Sequence, residues 1–177
     1  MVERKKQVHL YNIILPIWLL WLFPQVWLIV LPGNLAVDSL VLWLALLGLR
    51  HAGKGGVWKS LWWKFWLLGF AADAVGVLWM MLGLSPAWIL AWGVVGEPSA
   101  ALSAWENTMG HIMHDPFAHP LALLWTLAGV TLVGVCIYFF DQRAMSKNEL
   151  LTEREKHVIA LAMAVVTAPW LFLPPMY

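Results

Sequence analysis

Two aspartates stand in stretches that are otherwise uncharged. Asp38 lies in the apolar segment 34–49 and Asp73 in the apolar segment 65–84. A charge inside a membrane helix costs on the order of 3 kcal/mol on insertion scales, so such a residue marks an ion or proton site by default. Two carboxylates within reach of each other titrate as a coupled pair, and such a pair can exchange a proton for a cation. Thr131 and Thr167 fall at similar depth in two further apolar segments and would complete a polar layer. The structural alternative is that the carboxyls only hydrogen-bond one helix to another.

A second cluster is His111-Ile112-Met113-His114-Asp115, with Glu106 upstream and His119 downstream. His111 and His114 are three apart and would share a helix face. Imidazoles with a carboxylate suit zinc or another transition metal, with His111, His114 and Glu106 as ligands. The plainer reading is that Asp115-Pro116 caps and starts a helix, and that polar residues gather at a membrane boundary. There is no His-Glu-x-x-His motif, no Walker A, no Gly-x-Ser-x-Gly and no lysine in a span beyond its first residue. Nothing here names a catalytic reaction. Histidines deep inside facing spans, which haem would need, are also missing, since His119 and His157 fall at span ends.

These residues need elements to hold them, and the composition says which. The chain has 177 residues, 62% hydrophobic and only 12% charged. Soluble domains carry about 45–50% apolar and about 25% charged residues. One domain of this size cannot hide so much apolar surface from water. The lipid bilayer is therefore the first partner. The net charge of +1 gives no field for nucleic acid. One cysteine, Cys136, cannot form a disulfide within the chain.

In hydrocarbon the backbone must satisfy itself, which selects helices of about 20 residues. The segments are apolar on every side, so β-barrel alternation does not apply. The sequence predicts an all-α, polytopic integral membrane helical bundle in a single domain, 1–177. Five spans are expected, near 10–32, 34–50, 64–84, 116–140 and 156–174. The residues 85–115 form an amphipathic outer insert between the third and fourth. Ser85-Pro86 and Glu97-Pro98 read as helix starts there, and Leu102, Trp105, Met109 and Ile112 make an apolar stripe. The turn between the second and third spans is placed at the glycines 53–56. Thr152 and Glu155 form a capping-box pattern.

Lysine and arginine set the orientation. All eleven lie before the first span, or at or between the adjoining ends of the second and third and of the fourth and fifth. Positive loops stay inside, so the N-terminus is cytoplasmic and the C-terminus outside, in a cell membrane such as a bacterial inner membrane. The fourteen tryptophans largely suit the two interfaces. Three function classes remain open: a transport-related protein or membrane subunit of a transport assembly using Asp38 and Asp73; a non-catalytic assembly partner binding other membrane proteins or itself; and a metal-dependent membrane enzyme.

Overall fold

The computed structural model describes residues 24–93 and 100–173, and every regular element among them is helical. The helices are α1 (Pro24–Gly48), α2 (Lys54–Gly93), α3 (Ala100–Met109), α4 (Pro120–Met145) and α5 (Glu153–Val166). Short 3-10 turns at Gly110–Met113 and Pro116–Ala118 lead into α4, and another follows α5 at Trp170–Phe172. Three helices are long and apolar enough to cross a membrane, over Leu28–Gly48, Lys54–Leu84 and Pro120–Met145.

Several expected boundaries move. The break at 32–34 is absent: α1 runs through Pro32. A proline removes one backbone donor, and helices buried in apolar surroundings tolerate that loss. The first expected span therefore shares a helix with the second from residue 24 onward, and residues 10–23 lie outside the described part. The break at Ser85-Pro86 is absent as well, since α2 continues as one helix of 40 residues to Gly93. At 1.5 Å per residue that is about 60 Å, twice a hydrocarbon core. The start expected at Glu97-Pro98 lies outside the described residues. Finally, the helix of the fifth expected span has only 14 residues and ends at Val166. Thr167 closes it, with both its N–H and its hydroxyl donating to the Met163 carbonyl, at 2.8 and 2.9 Å. Pro169 then disfavours helix in the residue before it.

The core joins one face of each long helix. It contains Leu42 and Leu46 of α1, Val57, Leu61, Phe65 and Ala72 of α2, Val133, Ile137 and Met145 of α4, and Ile159, Ala160 and Met163 of α5. The outward faces are just as apolar, with Leu28, Leu78, Leu124 and Phe139 more than 60% exposed. Such faces suit lipid. What marks the contact between α2 and α4 is small size. A Cβ on Gly76 would come within 2.5 Å of Val133, one on Gly83 within 2.7 Å of Trp125, and one on Gly129 within 2.8 Å of Trp79. Glycines let α2 and α4 approach closely, as small residues do between membrane helices.

α3 folds back against α2 and α4. Trp105 donates its indole N–H to the Gly83 carbonyl at 3.0 Å, and Met109 is buried. The apolar stripe found in the sequence thus has its partner for Trp105 and Met109.

Candidate ion-binding site

Asp38 is on the inner face of α1, one turn before Leu42 and two before Leu46. It is 8% exposed. Its Oδ2 lies 3.4 Å from where a Cβ on Gly69 would be, so the missing side chain at Gly69 leaves room for the carboxyl. Asp73 is one turn further along the same face of α2 and half-buried. The two carboxylates lie within electrostatic reach of each other. Ion pairs among the described residues are His51–Glu155 and Lys156–Glu153, and neither involves an interior aspartate.

A third carboxylate belongs here that the sequence reading left out. Ending the fourth span at 140 put Asp141 outside the membrane. The helix instead runs to Met145, and Asp141 is 1% exposed between the core residues Ile137 and Met145. Its Oδ2 is buried without a hydrogen-bond partner. Asp141 is within electrostatic reach of Asp38. The signal in the sequence was the four-residue spacing of Val133, Ile137, Asp141 and Met145.

The depths are staggered. Asp141 is about 6 Å inside the end of α4 at 1.5 Å per residue, and Asp38, seated against Gly69, lies about one turn short of Asp73.

The two threonines do not join this cluster as a layer. Thr131 is exposed, and its hydroxyl donates to the Leu127 carbonyl of its own helix at 2.8 Å. Thr167 is the C-cap of α5. The threonine that is fully buried is Thr126, bonded to Ala122 O at 2.9 Å.

His111 lies in a 3-10 turn with its ring stacked on His119, centroids 6.1 Å apart. Glu106 and His114 are exposed. Among the described residues no three His, Cys, Asp or Glu side chains are grouped to hold a metal ion. Asp115 caps only the 3-10 turn Pro116–Ala118, its carboxylate accepting from Phe117 N at 3.0 Å, while α4 itself starts at Pro120 with His119 as its cap, accepting from Leu121 N at 3.3 Å.

The cationic end is built by two turns that meet. α1 ends in a Schellman motif, with His51 N–H donating to Leu46 O and Arg50 N–H to Leu47 O. Arg50 takes the left-handed position, φ 53°, where glycine is usual. The turn is thus at 49–53, and Gly55 and Gly56 already belong to α2. This turn delivers His51 to Glu155, Nδ1 to Oε1 at 2.9 Å. Glu155 also closes the capping box with Thr152. Its carboxylate is held down to about 2 by the Thr152 backbone N–H, then by His51 and the Thr152 hydroxyl. Asn148 donates to Ser60 across the same junction at 3.4 Å. Arg50, Lys54 and Lys59 are thereby brought to the same end as Arg143, Lys147 and Arg154.

No family model, curated protein or solved structure matches this chain.

Proposed function

We propose that this is a small multi-pass membrane protein, transport-related or a membrane subunit of a transport assembly, whose interior aspartates bind and exchange a proton or monovalent cation. The observation that carries this reading is Asp38: a buried carboxylate, seated against Gly69, within electrostatic reach of Asp73 and in no ion pair among the described residues. An isolated buried charge is not stable in a low-dielectric interior, so the cluster must take up positive charge from elsewhere.

The reading also places the cationic end at the cytoplasmic surface, by the positive-inside bias. α3 and the 3-10 turns then belong to the outer side. On this reading α1, α2 and α4 cross, with Pro24 toward the outer side, and α5 starts from the cytoplasmic end and reaches part of the way.

The test is ion binding by purified, reconstituted protein. Calorimetry with sodium and potassium, and proton release read by a pH dye on adding either, should show uptake that Asp38→Asn abolishes while the fold persists. Equal binding in wild type and Asp38→Asn would remove the site and leave an assembly role.

A further inference from the structure

We propose that Asp141 is the relay group of this site, passing protons between the cationic end of the bundle and the Asp38–Asp73 pair. This rests on the ion-binding reading above and names the ion as a proton.

Position is the first argument. Asp141 lies about one turn inside the end of α4, and Asp38 and Asp73 lie progressively deeper on α1 and α2. The second is its unsatisfied oxygen. A carboxyl retained only for structure would have both oxygens bonded, because an unpartnered buried acceptor costs about 1–3 kcal/mol. Oδ2 of Asp141 has no partner, although the residue is 1% exposed and lies between Ile137 and Met145 of the core. An unsatisfied buried polar atom calls for a water, an ion or a chemical role.

The surrounding charges fit a proton better than a metal ion. The charged group within reach on α1 is Asp38, and within reach of Asp38 on α2 is Asp73. α5 carries the buried Lys156, but its ammonium is held by Glu153 at 2.8 Å. On the outer side of the α4–α5 seam, His157 is bonded to Tyr138 and Gln142 at 2.7 and 2.8 Å. No three acidic or histidine side chains among the described residues converge on one point. Staggered single carboxyls cannot share a metal ion, but they can hand on a proton through water. In each transfer the O–H bond of one carboxyl breaks as an O–H bond forms on the next, and nothing is oxidised or reduced.

The experiment is infrared spectroscopy of the reconstituted full chain, at a pH low enough to show the carboxylic C=O bands. Transfer to D2O shifts these bands as their protons exchange. Asp38→Asn and Asp73→Asn should each remove one band. Asp141→Asn should remove its own and slow exchange of the remaining two by at least roughly a hundredfold, while Asp141→Glu restores the rate. An unchanged rate in a folded Asp141→Asn variant would overturn the relay and leave the pair standing. Bands that Asp38→Asn and Asp73→Asn leave untouched would overturn the ion-binding reading itself. If Asp141→Asn does not fold, dicyclohexylcarbodiimide on wild type decides the matter. The carboxyl proton adds to one carbodiimide nitrogen and the carboxyl oxygen bonds its carbon, which rearranges to a stable acylurea. Modification of Asp141 with exchange blocked supports the relay, and modification of Asp38 with Asp141 unreacted overturns it.

Discussion

The indoles of Trp79 and Trp125 stack with centroids 4.4 Å apart, and each donates its N–H to the other's main-chain carbonyl, at 3.0 and 3.2 Å. This reciprocal clasp joins α2 to α4 and satisfies both indole donors in an apolar setting. Each ring also lies over a glycine of the opposite helix, Trp79 on Gly129 and Trp125 on Gly83. Gly129→Ala should therefore destabilise the bundle by about 1–3 kcal/mol through overpacking. Unfolding in detergent would measure it. A stability equal to wild type would mean that the helices are not held this close.

The Schellman turn makes a separate prediction. Arg50 occupies a left-handed position that costs a non-glycine residue roughly 1–2 kcal/mol. Arg50→Gly should raise stability by up to about 1 kcal/mol, since glycine also gains entropy in the unfolded chain. A loss of stability instead would show that the arginine makes a compensating contact.

Acid should loosen the junction between the α1–α2 turn and α5. Glu155 has a folded value near 2 against an ordinary 4.5. A lowered carboxylate contributes stability that is fully present above about 4.5 and lost as pH falls toward about 2. Thermal unfolding followed through that window should show the loss in wild type. Glu155→Gln should start less stable and show a shallower decline.

Threonines separate the exposed from the buried polar groups. Thr131→Val should be nearly neutral, because its exposed hydroxyl bonds only its own helix. The chemically identical change at Thr126 replaces a hydroxyl that is bonded to Ala122 O in a fully buried position. If Thr131→Val abolished ion binding, the threonine would belong to the site after all.

Sidedness can be read chemically. Lys54 and Lys147 sit on two turns joined through Asn148–Ser60 and His51–Glu155. A membrane-impermeant amine reagent should label both from the cytoplasmic side in inside-out vesicles and neither in right-side-out ones. Opposite labelling of the two would break the orientation.

The sequence alone determined what depends on composition and local chemistry. Low charge and long apolar runs determined helices suited to lipid. The capping box at Thr152 is a set of short-range hydrogen bonds and forms as the residues predict, whereas Asp115 caps a 3-10 turn and leaves the start of α4 to His119. The isolation of Asp38 and Asp73 in apolar runs was legible for the same reason. Boundaries were not, because a proline in an apolar helix is a stop only if nothing else holds the helix together, and Pro32 and Pro86 are both passed through. Inner faces were not legible either: lipid-facing and core-facing sides are equally apolar, so no periodicity separates them. Tertiary structure decided those faces by close approach at Gly69, Gly76, Gly83 and Gly129. It likewise drew Asp141, 103 positions after Asp38 (141 − 38), into electrostatic reach of it and joined His51 to Glu155. Such long-range pairings depend on how helices pack, which no local rule in the chain encodes.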